Sequence, residues 1–150
     1  MNIKSTVSQL LKKKIIEVIA GGSNGSIVVF CLGEETITHT LQVRCVWRLE
    51  HLNEVIAGWN DSPDPQAGNL KRQMKLLEGD YVEAIDISSF YDLAIDFRSS
   101  KKLRIFCDIT PNADMQSCDN WYVCDRQINR CISIDKNLQE VETHYRRESS

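Results

Sequence analysis

The chain is poor in the residues that break or bridge a fold. Among its 150 residues there are 3 prolines and 7 glycines, and 7% of residues are aromatic. That composition excludes collagen-like and low-complexity architectures. No apolar run approaches the 18 or so residues that span a bilayer. The start, Met1-Asn2-Ile3-Lys4-Ser5, has a charge but no apolar stretch after it, because Lys12-Lys13-Lys14 intervenes, so no secretory signal is expected. Basic residues are in no excess, 18 against 21 acidic ones for a formal net charge of -3, and the one basic run, residues 12–14, is short. Nucleic-acid binding is therefore not expected.

Reactive motifs are missing as well. The histidines, His39, His51 and His144, belong to no H-E-x-x-H pattern. The glycine-rich stretch Gly21-Gly22-Ser23-Asn24-Gly25 leads into an apolar strand, whereas a phosphate-binding loop needs Lys-Ser/Thr at the start of a helix. A plain turn is expected there. The six cysteines are Cys31, Cys45, Cys107, Cys118, Cys124 and Cys131. None forms a C-x-x-C pair, and without a secretion signal they read as reduced thiols in a cytosol, with a metal or disulfide role for Cys118, Cys124 and Cys131 as the alternative. Cys31, Cys45 and Cys107 fall at apolar strand positions, where a free thiol behaves as a small hydrophobe. No catalytic residue, cofactor or metal is expected.

What is present is an internal similarity. Sliding the sequence by 66 residues lays Leu10-Leu11 on Leu76-Leu77, Ile16-Glu17-Val18-Ile19 on Val82-Glu83-Ala84-Ile85, and Ile27-Val28-Val29 on Leu93-Ala94-Ile95. With a slide of 62, Leu41-x-Val43-x-Cys45 falls on Leu103-x-Ile105-x-Cys107. The matched residues are alternating apolar ones, which set the buried face of a strand. The expected architecture is a single α+β domain over residues 1–150, mostly antiparallel. Two pseudo-repeats, at about 4–61 and 69–136, each read helix, strand, hairpin and an irregular close. One copy alone is marginal in water. Two copies can pair into one continuous sheet or half-barrel with helices packed on it.

Within that plan, helices are expected at Ser5–Lys14, capped by Ser5, and at about Asn69–Glu78. Strands are expected at Ile15–Ala20, Ser26–Leu32, Thr38–Leu49 and Tyr81–Ile87. A fifth element is placed at Val55–Trp59. Leu93-x-Ile95-x-Phe97 and Leu103-x-Ile105-x-Cys107 form a hairpin. Trp121–Val123 and Arg130–Ile134 are candidate closing strands. Asn60–Pro65 breaks regular structure between the copies. The polar tail, 137–150, is expected to be a short helix or disordered.

Charge is unevenly distributed. Six acidic residues and no basic one lie between Leu76 and Phe97, and four more acids lie between Asp108 and Asp125, again with no Lys or Arg. Runs of charge are commonly solvated faces. The functional alternative is an acidic surface that steers a basic partner. Aromatic and acidic residues mix at Trp59-Asn60-Asp61 and at Asp119-Asn120-Trp121-Tyr122. Such residues serve as interface anchors or as core plugs under a loop.

Val43-Arg44-Cys45-Val46-Trp47-Arg48-Leu49, followed by Val55-Ile56-Ala57-Gly58-Trp59-Asn60-Asp61, resembles the small bacterial immunity proteins encoded beside polymorphic toxins, including those of contact-dependent growth inhibition systems. So does the pattern from Leu93 through Leu103-x-Ile105-x-Cys107-Asp108 to Asp119-Asn120-Trp121. The resemblance implies a cytosolic, non-enzymatic inhibitor that binds a cognate toxin domain, commonly a nuclease, and occludes its active site. On the charge pattern, the expected partner-binding residues are Asp86, Asp92, Asp96, Asp114, Asp119 and Trp121. Two other readings stand beside it. One is a small hydrolase with His39 or His51 and a carboxylate or Cys between the copies. The other is a homodimeric structural module joined through unpaired sheet edges.

Overall fold

A computed structural model describes residues 1–64, 68–109 and 119–144. Helix α1 (Ile3–Ser8) precedes strands β1 (Lys14–Ile19), β2 (Val28–Gly33), β3 (Ile37–Val43), β4 (Val46–His51) and β5 (Glu54–Gly58). Helix α2 (Asn69–Lys75) precedes β6 (Val82–Ile87), β7 (Leu93–Phe97), β8 (Lys101–Phe106), β9 (Trp121–Asp125), β10 (Arg130–Ile134) and β11 (Glu140–His144). The strands are antiparallel and form two sheets, ordered β1-β2-β3-β9-β10-β11 and β5-β4-β8-β7-β6. This replaces the expected continuous sheet or half-barrel.

The difference arises at one short step. Thr38–Leu49 reads as a single strand because Leu41, Val43, Trp47 and Leu49 are all buried. The chain nevertheless leaves the first sheet after Val43 and enters the second at Val46, with Arg44-Cys45 as the crossing. Alternation reports which side is buried, not which sheet a strand belongs to. The chain crosses back after Phe106. Each three-stranded meander therefore receives its next two strands from the other half of the chain: β9 and β10 beside β3, β4 and β5 beside β8.

The inner faces share one core. Phe30, Leu41, Val123 and Ile132 come from the first sheet, and Trp47, Leu49, Ile95, Leu103 and Ile105 from the second. The helices add Ile3, Val7 and Leu10 from the α1 segment and Leu70, Met74 and Leu77 from the α2 segment. Each such side chain contributes about 1.5–3 kcal/mol by leaving water. The sheets also meet where β1 and β6 begin. Lys12 N–H donates to Val82 O at 2.8 Å, Val82 N–H to Lys13 O at 3.0 Å, and Ile15 N–H to Asp80 O at 2.8 Å.

Several boundaries differ from expectation for local reasons. The cap of α1 is Asn2, not Ser5: Asn2 Oδ1 accepts the Ser5 N–H at 2.8 Å, so the helix starts earlier and ends at Ser8. Leu10 is then buried while Leu11 points outward. The tail contains a strand, β11, whose residues are all exposed. With water on both faces, its sequence had no apolar alternation to betray it. Cys124 and Cys131 are not reduced thiols. They sit directly opposite each other in the β9–β10 ladder, Cα atoms 4.0 Å apart, and form a disulfide. Residue spacing does not reveal hairpin register, and register is what brings the pair together. Among the described residues no helix is long and apolar enough to cross a membrane.

Candidate functional site

The two aromatic–acidic motifs have opposite fates. Trp121 is fully buried, and its indole N–H donates to Tyr91 O at 2.9 Å. Its ring is core, so it offers no surface to a partner. Trp47 is equally buried and donates to Ser26 O at 2.8 Å. Each accepting carbonyl lies two residues ahead of a strand, β7 in one case and β2 in the other. These tryptophans pin the lead-in to the middle strand of a meander to a strand of the opposite sheet.

Trp59-Asn60-Asp61, by contrast, reaches the surface. Trp59 follows the edge strand β5, half-buried, and its N–H donates to Trp47 O at 3.0 Å. It lines a cleft of about 400 Å³ together with Val46, Val55, Ile56, Asp61 and Asn69. Val46 is 51% exposed and Val55 61% exposed, an unusual outlay of aliphatic surface on adjacent strands. The polar end is pre-formed. Asp61 Oδ2 accepts the Gly58 N–H at 2.7 Å, and Asn69 Nδ2 donates to Ile56 O at 2.8 Å and to Asp61 Oδ2 at 3.4 Å. Val46, Val55 and Asn69 were not among the expected site residues. The available signal was valine at outward positions, where an alternating strand ordinarily places polar residues.

The expected acidic residues do not gather into one patch. Asp92 is turned to the backbone: its Oδ1 accepts the Cys107 N–H at 2.7 Å. Asp96 faces Lys102 across β7–β8, Oδ1 to Nζ 3.5 Å. Asp80 accepts the Tyr81 N–H at 2.8 Å, and the Ser99 hydroxyl also donates to it. Asp86 is exposed on the edge strand β6. Asp114 lies outside the described residues. Neighbouring acids are matched by bases. Lys12 and Arg98 hydrogen-bond Glu83, in that order of effect, and hold its carboxyl below the usual range. Burial pushes Glu50 up, but hydrogen bonds from Arg48 and Arg104 bring it down further, leaving it below the ordinary value. Contiguous acidity in sequence has become alternating charge on the sheet, because antiparallel pairing sets the basic β8 between β7 and β4.

Asp119 occupies a second cavity, of about 290 Å³, with Tyr122, Ser133, His144 and the Cys124–Cys131 disulfide. Burial raises its carboxyl above the usual value, Arg44 opposes this, and Asp135 adds to it. Tyr122 hydrogen-bonds the Gln42 side chain across the β3–β9 pair.

The hydrolase reading required a histidine beside a carboxylate. His39 does approach Asp125, Nε2 to Oδ2 3.7 Å, but the two residues are 2% and 7% exposed. Both ring nitrogens are engaged, Nε2 with Gln9 Oε1 and Nδ1 with Thr38 Oγ1, each at 2.8 Å. Burial lowers its pKa, Asp125 raises it, and Lys13 lowers it further, with a net downward shift. The group is built into the inner face between α1 and the first sheet. His51 is half-buried at the far end of β4.

Comparison with known proteins returned no match to a protein-family model, a curated protein or a solved structure.

Proposed function

We propose that the chain is a binding protein of the immunity type, which neutralises a cognate toxin domain by covering its active site rather than by catalysis. The observation that carries this reading is the β4–β5 cleft. It combines a half-exposed tryptophan, two solvent-facing valines and a fixed carboxylate beside an edge strand, the make-up of an interface anchor. The favoured partner surface inserts an apolar side chain against Trp59 and Val55 and sets a basic group near Asp61. A nuclease, whose active site is basic because it binds phosphate, fits that demand and the chain's net charge of -3. Asp86 and Asp96 on the outer face of the second sheet contribute long-range steering in this reading, and Asp92 and Trp121 contribute scaffold.

The same reading treats the fold as a duplicated scaffold, residues about 4–61 and 69–136, whose closing hairpins are exchanged. Trp121 pairs with Val43, and Trp47 pairs with Ile105; Val43 and Ile105 are matched by the 62-residue slide. The meander orders β1-β2-β3 and β6-β7-β8, each extended by a hairpin from the other half, support it.

The test is co-purification with the product of the adjacent gene and protection of cells that express it. Val55→Asp, on an exposed position, should weaken binding roughly tenfold or more while leaving the fold intact, and Trp59→Ala should act in the same direction. Absence of any complex, or a chain that only self-associates through its edge strands, overturns the proposal.

A further inference from the structure

Three free cysteines are described, and two of them face each other. The β4–β8 ladder runs from His51↔Lys101 to Val46↔Phe106 without a register shift. One step beyond Val46↔Phe106 are Cys45 and Cys107. The same relation, directly opposed residues on antiparallel segments, is the one in which Cys124 and Cys131 are already joined. We propose that Cys45 and Cys107 form a second, oxidisable disulfide that staples the two sheet-to-sheet crossings of the chain.

The surroundings suit this pairing. Cys45 lies in the two-residue step from the first sheet to the second, and Cys107 begins the return path. The crossings run side by side there: Arg44 N–H donates to Asn120 O at 2.9 Å, and Asp108 N–H to Asn120 Oδ1 at 3.0 Å. Cys107 is held in place by its N–H bond to Asp92 and by its thiol, which donates to Tyr91 O at 3.2 Å. Both thiols are half-buried. The neighbouring Cys107 side chain and burial push the Cys45 thiol well above its ordinary pKa. A weakly acidic thiol reacts slowly, and it gains none of the thiolate stabilisation that keeps low-pKa dithiols reduced. Cys31, by contrast, lies buried on β2.

The chemistry needs a small-molecule disulfide such as oxidised glutathione. The thiolate of one cysteine attacks a glutathione sulfur, the glutathione S–S bond breaks, and one glutathione thiolate leaves. The second cysteine, as its thiolate, attacks the protein sulfur of this mixed disulfide. The Cys45–Cys107 bond forms and the second glutathione leaves. Two protein thiols lose two electrons, one glutathione disulfide gains them, and the two thiol protons end on the two glutathione molecules.

The experiment treats the full chain with oxidised glutathione, blocks remaining thiols by alkylation, and maps peptides by mass spectrometry without reduction. The expected product is a Cys45–Cys107 linked peptide, two hydrogens lighter than its parts, beside Cys124–Cys131. Because the new bond closes a long loop, the melting midpoint should rise by about 10 °C on oxidation. In Cys45→Ser the remaining Cys107 should stop at the mixed disulfide with one glutathione, and Cys107→Ser should do the reverse. Recovery of Cys45 and Cys107 both alkylated, or both glutathionylated, or linked to Cys31 or Cys118, overturns the proposal. The wild-type map decides between these outcomes even if a serine variant does not fold.

Discussion

Replacing Asn120 by aspartate exchanges one heavy atom, the amide nitrogen, for oxygen and should cost a large share of the stability. Asn120 is 6% exposed and lies between the crossing segments. Its Oδ1 accepts the Asp108 N–H, while Nδ2 donates to Asp108 O at 3.1 Å and to Asp135 O at 2.9 Å. A carboxylate keeps the first bond and reverses the other two, aiming a negative oxygen at two carbonyls that no longer have this donor. Each orphaned buried group costs about 1–3 kcal/mol, so Asn120→Asp should lose about 4 kcal/mol near neutral pH. Typical total stability is about 5–15 kcal/mol. Asn120→Ala, which removes all three bonds without adding charge, should lose about 3 kcal/mol. The aspartate variant also carries a pH signature. Desolvation and two facing carbonyls raise the new carboxyl's folded pKa above its unfolded value of about 3.9. A raised acid is least costly when protonated, so the deficit shrinks as pH falls through the folded pKa and is full above it. Urea unfolding followed by tryptophan fluorescence at pH 7 and pH 4.5 measures both effects. A loss below about 1 kcal/mol at pH 7, or a deficit identical at both values, would refute the reasoning.

Other perturbations probe separate parts of the fold. Gly33→Ala should prevent accumulation of folded protein, because the new Cβ would collide with the Thr36 carbonyl inside the β2–β3 turn; ordinary expression and an unchanged melting midpoint would contradict this. Trp47→Ala should cost about 3–5 kcal/mol by emptying a fully buried site, measured by chemical denaturation. His39 has a folded pKa below 6.5, so the unfolded chain binds its proton more readily; stability from this group is present above about pH 6.5 and lost as pH falls through that value, a slope that His39→Gln should remove from a pH series of melting curves. Glu78 accepts the Val18 N–H at 2.9 Å and has a lowered pKa, for which that bond is the largest cause. Its stabilisation is present above the normal glutamate range and lost as pH falls through the folded value, so Glu78→Gln should flatten the acid limb of the same series.

The legible part of the fold was the part in which one face is wet and the other dry. The Leu93–Phe97 and Leu103–Ile105 alternation located β7 and β8, and residues 60–64 are free of helix and strand after β5, Pro65 lying outside the described residues. The crossing at Arg44-Cys45 was hidden, because inward residues stay inward on both sides of it. β11 was hidden because it is exposed throughout. The candidate site suffered from the same limit. Acids close in sequence find different partners, and Lys102 and Arg98, which face Asp96 and Glu83, come from the far side of a hairpin. Trp121 and Trp59 sit in similar sequence settings, and only the closure of the core over one of them separates the buried ring from the one that lines a surface cleft.

The pairing of β3 with β9 and of β4 with β8 has a consequence for how the chain is made. During synthesis the first meander emerges early, but the strands that cover its open edge, β9 and β10, end at Ile134. Until then β3 presents an unpaired edge, and β4 and β5 wait for β8. Neither half therefore holds all of its sheet partners on its own, and the two sheets close only after Ile134 has been made. Ordering depends on contacts far apart in sequence, which slows folding, and a chain cut between the halves should recover its structure only when both fragments are present together.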